Sequence, residues 1–392
     1  MGLVLRAEVF RGRSLVHVFS VADSLIFVRD QVTRLRQLGM EVTLVTSPDE
    51  RLTAAGRALG VRTVGIPMAR RVSPLADWRS LERLRQLFER LRPDIVHAHT
   101  PKGGLLGMLA ASAANTPIRL YQMRGLPYVT QRGAMRALLA TTERLSCRAA
   151  TRVICQSRAL LQTALEDRLV DAPRAEVVLE GSNGVDTTFF APERWSDAGA
   201  SLRSEWNASS DEVVFVFVGR LVRDKGVPEL LEAFSRLRQR EPGAQLVLVG
   251  PLEERDALDL QTVRRLGEPG VRCVGFQSNI APFLAAADAL VLPSHREGFP
   301  NAPLEASAMG LPVISTTVAG CRDAVEQDVT GLLVPPANPA ALFDAMARYA
   351  ADRSLRRQHG EAGLERVRAS FRREVITEGV MGLYARELSA PG

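Results

Sequence analysis

The chain has 392 residues, 46% of them hydrophobic, and a formal net charge of +6. That length exceeds one ordinary core and fits two domains of about 150 to 200 residues each. No apolar run approaches the roughly 18 residues of a membrane span, and the charges inside MGLVLRAEVFRGRSLVHVFSVADS argue against a secretory signal, so the reading is of a cytoplasmic protein.

In chain order, LVHVFSV (15–21) reads as a strand and FVRDQVTRLRQLG (27–39) as an amphipathic helix stopped by Gly39. EVTLVTS (41–47) is a strand, LTAAGRALG (52–60) a short helix and VRTVGIPM (61–68) a strand. A strongly periodic helix at 75–92 precedes the strand DIVHAHT (94–100). A helix at 104–115, a strand at 118–125, a helix at 133–150 and a strand at 151–157 follow. The polar stretch 189–212 breaks this rhythm. Strands then resume at 213–219, 244–250, 271–276, 288–293 and 312–316, with a helix at 227–240. Strands alternating with helices predict parallel sheets covered on both faces. The expected plan is α/β: a first doubly wound, Rossmann-like domain over 1–190, a linker over 191–210, a second such domain over 211–370, and a C-terminal helix (371–392) crossing back to the first. Ligands of such sheets bind beyond the carboxyl ends of the strands, which with two facing domains means the cleft between them.

The charge is uneven. Residues 1–200 hold 28 basic and 19 acidic residues, a net of +9; residues 201–392 hold 22 and 25, a net of −3. The basic half should prefer an anionic surface or substrate, such as lipid head groups or a phosphorylated acceptor. With four Tyr and no interleaving of aromatic and basic residues, nucleic acid is not expected. Of the 50 basic residues 48 are Arg, and the only lysines are Lys102 and Lys225. A compact ammonium is not interchangeable with a planar guanidinium, so both survivors are candidate functional positions. Cys147, Cys155, Cys273 and Cys321 lack metal-type spacing and read as buried, reduced thiols. GxGxxG, GxxxxGK[ST] and HExxH are all absent. His97 and His99 share one face at a strand end.

Two stretches carry chemistry. In FVGRLVRDKG (217–226) a strand ends at Gly219, and Arg220 and Lys225 bracket a loop that opens a helix near Val227 or Pro228; this combination suits an anion. In SHREGFPNAPLEAS (294–307) Glu297 follows a strand, Gly298-Phe299-Pro300-Asn301 forms a turn, and a helix runs from Ala302 to Met309 with Asn301 as its cap. Glu305 lies one turn inside. Carboxylates accept hydrogen bonds from vicinal hydroxyls, so two acids here suit a ligand with two polyol parts. A glycosidase pair of acid and nucleophile is the alternative, though it leaves the neighbouring anion site without a role.

FVGRLVRDKG and HREGFPNAPLEASAMGLPVISTTVAGCRDAV resemble the donor half of retaining glycosyltransferases of family 4, which have the GT-B fold. LEGSNGVDTTFFAPERW (179–195), PDIVHAHTPKGGLLGMLAA (93–111) and MRGLPY (123–128) extend the resemblance over nearly the whole chain, towards members that build capsule, exopolysaccharide and lipid-linked oligosaccharide. The resemblance implies transfer of a hexose-type sugar from a nucleotide diphosphate sugar, most often of uridine, to a glycan or polyprenyl-diphosphate-linked saccharide, at the inner membrane surface and without a metal or cofactor. It implies donor contacts from Gly219, Arg220, Lys225, Phe276, Glu297, Gly298, Phe299, Pro300, Asn301, Leu304 and Glu305, with Arg220, Lys225 and Glu297 serving catalysis. Arg220 and Lys225 would hold the diphosphate, Glu305 the ribose, and Glu297 with the backbone of Gly298 to Asn301 the transferred sugar. His99, Lys102 and Arg124 are expected to face the acceptor or the cleft. The chain departs from the family in two places: the loop SVADS (20–24) lacks the glycine pair that often ends the first strand, and Arg124 stands where many members have a histidine. A nucleotide-sugar 2-epimerase and an inactive scaffold subunit remain as alternatives; the first lacks a carboxylate cluster in the first domain, and the second would predict loss of Arg220, Lys225 or Glu305.

Overall fold

The structure is a computed structural model and describes residues 7–69, 73–253 and 256–390. The chain divides into two compact units. One comprises residues up to Gly181 together with those from Glu374 onward; the other runs from Ser182 to Arg373.

The first unit holds a seven-stranded sheet: β1 (Ser14–Val18), β2 (Glu41–Thr46), β3 (Arg62–Gly65), β4 (Ile95–His99), β5 (Ile118–Met123), β6 (Arg152–Cys155) and β7 (Ala175–Glu176). The second holds six strands: β8 (Val214–Val218), β9 (Gln245–Val249), β10 (Val271–Gly275), β11 (Ala289–Leu292), β12 (Val313–Thr316) and β13 (Gly331–Val334). The orders are β3-β2-β1-β4-β5-β6-β7 and β10-β9-β8-β11-β12-β13, with every pairing parallel. Both are Rossmann-like: the order reverses beside the first strand of each sheet, between β1 and β4 and between β8 and β11. A crevice opens at such a reversal, and the loops leaving the carboxyl ends of those strands line it.

The central strands are legible because they are buried on both faces and therefore read as unbroken apolar runs. VFVFV in β8 and ALVL in β11 lie in the core almost throughout. The edge strand β10 is different: Cys273, expected to be buried like the other three thiols, is exposed there. The helix Val227–Arg240 occupies the predicted span. Val227, Leu230, Leu231, Phe234 and Leu237 recur at helical spacing and are all buried, each large side chain contributing about 1.5–3 kcal/mol of transfer free energy.

The stretch expected as a linker folds instead. It forms the helix Pro192–Glu205, which packs within the second unit against the helix Ala281–Ala285. Gly199 makes the close approach: a Cβ there would lie 2.7 Å from the Ala285 carbonyl oxygen. Arg203 fastens the far end through the Ala286 carbonyl and the Asp288 carboxylate. Gly199 is the one fully buried residue of that helix, so its sequence reads as polar. At the other end of the chain the helix Arg373–Ser389 buries Ile376, Val380, Met381, Leu383 and Tyr384, the last four in a core cluster of the first unit. Among the described residues no helix is long and apolar enough to cross a membrane.

Candidate active site

In the second unit, β8 delivers the chain to Gly219 and Arg220, and a 3-10 turn, Arg223–Lys225, carries it to Gly226. Gly226 takes φ 71°, and a Cβ on it would lie 2.1 Å from the Pro293 carbonyl oxygen. Only glycine satisfies both conditions, and its presence presses this loop onto the exit of β11. There the Lys225 ammonium meets the Glu297 carboxylate in an ion pair, with side chains 19% and 11% exposed. The Ser294 hydroxyl donates to the same Glu297 oxygen at 2.7 Å.

The two loops are tied together beyond this pair. His295 N–H donates to the Asp224 carbonyl at 2.8 Å, and Arg296 donates to the Asp224 carboxylate at 2.9 Å. The His295 imidazole lies 3.1 Å from Glu229, whose carboxylate holds its pKa above the ordinary value. Arg220 pairs with Glu253 at 2.8 Å at the more exposed edge of the site.

The helix Asn301–Ala308 starts at this junction. Pro300, not Asn301, holds the cap position, and no side chain caps the helix. The Asn301 side-chain oxygen instead accepts from the Asn183 side-chain amide at 3.2 Å, within the same unit. The first-turn N–H groups are thus left without a side-chain acceptor. Gly298 lies against the helix Ala319–Ala324: a Cβ on Gly320 would come within 2.3 Å of its carbonyl oxygen. Phe299 is buried against Phe371, and Leu304 lies wholly in the core. The Leu304 side chain therefore anchors the helix and does not line the site, contrary to the expectation. Glu305 is half-buried; burial pushes its carboxyl up to about 7, with Arg373 pulling the other way. Phe276, following β10, is 73% exposed.

In the first unit the carboxyl ends of β1 and β4 carry three buried imidazoles, His17, His97 and His99. His17 Nδ1 lies 3.0 Å from His99 Nε2, and His97 Nδ1 lies 2.6 Å from the Tyr384 hydroxyl. Burial lowers all three pKa values, that of His17 to about 3, and Arg124 adds to the effect. Ligand nitrogens of the three rings fall within 4.8 Å of one another, a spacing that a metal could use. Arg124 approaches His99 Nδ1 at 3.5 Å, and a guanidinium only donates. In the neutral ring this contact puts the His99 proton on Nε2, donated to His17 Nδ1.

His99 does not open onto a ligand. It is 1% exposed and stacks on Phe19 with ring centroids 4.1 Å apart. Its place is behind Arg124, which also stacks over Phe27 and donates to Gln156 at 3.4 Å. Burial lowers the Arg124 pKa to about 10, so the group remains a cation at neutral pH. Lys102 also differs from expectation. The helix Pro101–Ala113 begins three residues early and takes Lys102 into its first turn, where the ammonium meets both Asp77 oxygens at 2.8 and 2.9 Å.

Sequence reasoning passed over His17, Tyr384, Ser294 and Glu253. The strand register could have supplied His17, because β1 pairs with β4 so that His17 stands opposite His97. Ser294 was adjacent in sequence, whereas Tyr384, 287 residues from His97, left no local signal.

Comparison with known proteins gives the chain its place. Residues 26–181 match the model of a glycosyl transferase 4-like domain, and residues 200–366 match that of the glycosyl transferases group 1. The capsular polysaccharide biosynthesis glycosyltransferase CapM of Staphylococcus aureus is 30% identical over 377 residues, which cover 95% of this chain and 97% of that protein. The chain belongs to the group 1 glycosyltransferases. The resemblance to family 4 stands with it, and the two Rossmann-like units are those of the GT-B fold. A second relative of this glycosyltransferase is the UDP-Gal:alpha-D-GlcNAc-diphosphoundecaprenol alpha-1,3-galactosyltransferase of Escherichia coli, 29% identical over 75% of this chain and 76% of its own. Among solved structures, HepE of Anabaena in complex with UDP-glucose shares the fold with a TM-score of 0.78, at 20% identity, over 96% of this chain and 99% of that one. The glycosyltransferase works in polysaccharide or glycoconjugate biosynthesis.

Proposed function

We propose that this enzyme transfers a hexose, with retention of anomeric configuration, from a UDP-sugar to a glycan or lipid-linked saccharide. The observation that carries the reading is the Lys225–Glu297 pair, held where β8 and β11 deliver their loops at the reversal of the sheet. Arg220 and Lys225 bind the donor's diphosphate. As the bond from the anomeric carbon to the β-phosphate oxygen breaks, its electron pair passes to that oxygen, and the two cations stabilise the charge that develops. The acceptor hydroxyl oxygen bonds to the anomeric carbon from the same face and passes its proton to the β-phosphate. No metal is required, because the cations supply the electrostatic help. Glu305 accepts hydrogen bonds from the ribose hydroxyls, and Glu297 with the backbone of Gly298 to Asn301 holds the sugar. Uridine is favoured by the UDP-Gal donor named for the Escherichia coli relative and by the UDP-glucose bound to the Anabaena neighbour.

The acceptor belongs to the basic first unit, with Arg124 as its phosphate or sugar contact. A lipid-linked acceptor suits the surface there. Ile26, Leu75, Trp78, Val129, Met135 and Leu138 are exposed apolar residues, all on segments that follow the carboxyl ends of β1, β3 and β5. Arg132 and Arg136 flank them on the segment after β5. Apolar side chains among arginines fit an anionic membrane face, so the enzyme works at the inner surface of the membrane.

The test is a thermal-shift panel of UDP, GDP, ADP and their sugars on wild type, Lys225→Ala and Glu305→Ala, followed by product analysis with and without a lipid-linked acceptor. A single nucleotide should stabilise the wild type, by about 2.7 kcal/mol at a hundredfold excess over Kd, and both substitutions should remove the shift. A shift that survives both would overturn the donor site. Sugar conversion without any acceptor would favour epimerisation.

A further inference from the structure

Arg220 and Lys225 are each already engaged by a carboxylate, but the two pairs are built differently. Lys225 and Glu297 are mostly buried, and Ser294 braces the carboxylate. Arg220 and Glu253 make one contact of 2.8 Å between side chains that are 46% and 31% exposed. Among the described residues Glu253 makes no other hydrogen bond.

The loop carrying Glu253 is secured without it. Leu252 forms a bridge with Leu221, whose N–H donates to the Pro251 carbonyl at 2.8 Å. The Asp256 carboxylate accepts from Asp224 N–H at 2.7 Å. Asp259 caps its helix by accepting from Thr262 N–H at 2.7 Å and meets Arg223 at 3.4 Å. Acidic side chains thus line the anion loop on this side, and Glu253 is the one aimed at Arg220, with no other hydrogen bond among the described residues.

We propose that Glu253 is an internal competitor for the Arg220 guanidinium, displaced by the nucleotide's diphosphate on binding and returning to Arg220 as the product leaves. The proposal rests on the reading of Arg220 and Lys225 as the diphosphate site. A guanidinium presents the same fork to a carboxylate and to a phosphate, so the two ligands exclude each other. An exposed pair is weak, so the diphosphate displaces it at little cost. The effect is largest at the end of the cycle. Once the sugar is gone and the proton taken from the acceptor has passed on to water, the β-phosphate has lost its ester, and the nucleoside diphosphate carries one more negative charge than the donor did. A carboxylate waiting beside Arg220 then speeds release.

Glu253→Gln keeps the shape and removes the charge. Titration calorimetry at fixed salt would give Kd for UDP, GDP and ADP, with the free nucleosides as phosphate-free controls. The expected result is diphosphate binding tighter by about two- to fivefold, with nucleoside binding unchanged. The gain should vanish when Arg220→Gln is present in both members of the comparison. In turnover, the donor KM and kcat should both fall, and inhibition by the diphosphate product should strengthen. If Glu253→Gln leaves diphosphate affinity unchanged or weaker while Lys225→Ala still abolishes binding, the competitor role is wrong and the donor site stands. If none of the three diphosphates binds the wild type, both fall together.

Discussion

At the scale of single residues, the scarcity of lysine singled out Lys225, and the structure places its ammonium against Glu297 in a mostly buried ion pair. The same argument singled out Lys102 but not its partner, since Asp77 arrives from the helix Pro74–Leu91 and no spacing reveals it. Lys225→Ala should lower kcat/KM by a factor of about 10² to 10³, the usual cost of losing one preorganised donor to a developing charge. Lys225→Arg should recover little, because the bulkier guanidinium does not fit the mostly buried space that a compact ammonium occupies beside Glu297. Steady-state kinetics with saturating acceptor would check both. Glu305 carries a pH dependence. Its folded value of about 7 lies above the 4.5 of a free carboxyl, so the folded chain holds the extra proton between those values. The ionised form is the better acceptor for ribose hydroxyls. Donor affinity should therefore rise from pH 6 to pH 8 in the wild type and stay level in Glu305→Gln. The accompanying stability runs the other way and declines as pH rises through 7.

At the scale of elements, the strands were legible wherever burial on both faces left an unbroken apolar run, and the helix 227–240 was legible from its periodicity. The start of the helix Asn301–Ala308 was not, because the Asn301 side chain spends its acceptor on Asn183 and leaves the cap to Pro300. The helix Pro192–Glu205 was missed because its packing face is sparse: Gly199 is its one buried residue, and Trp195 and Leu202 beside it are only partly buried. Glycines of this kind predict the sharpest element-level effects. Gly320→Ala would put a methyl group 2.3 Å from a backbone oxygen of the donor loop, which can yield only by shifting Gly298 and Phe299. The expected cost is about 1–3 kcal/mol of stability, read from denaturant midpoints, together with weaker nucleotide binding. Gly226→Ala combines a similar clash with a positive φ and should be worse on both counts.

For the whole molecule, the doubly wound plan and the family motifs of the second unit were readable from sequence because their signals are local. The interior of the first unit was not, since His17, His97, Arg124 and Tyr384 meet only through topology. That interior should make the protein acid-sensitive. The three imidazoles are neutral when folded and take up protons when unfolded, so their contribution is complete above pH 6.5 and is lost as pH falls towards 3. His17 alone should cost about 2 kcal/mol at pH 5. Amide hydrogen exchange should show β1 and β4 losing protection on acidification before β8 and β11 do. Equal loss in both sheets would contradict this. The lysine count has a separate use. Lys102 falls in the first unit and Lys225 in the second, each in an ion pair through its terminal nitrogen. Protein grown on isotopically labelled lysine should give two side-chain resonances. Nucleotide titration should move the Lys225 signal, while the Lys102 signal reports on the other half of the molecule, so the native chain carries its own pair of spectroscopic reporters without any engineered label.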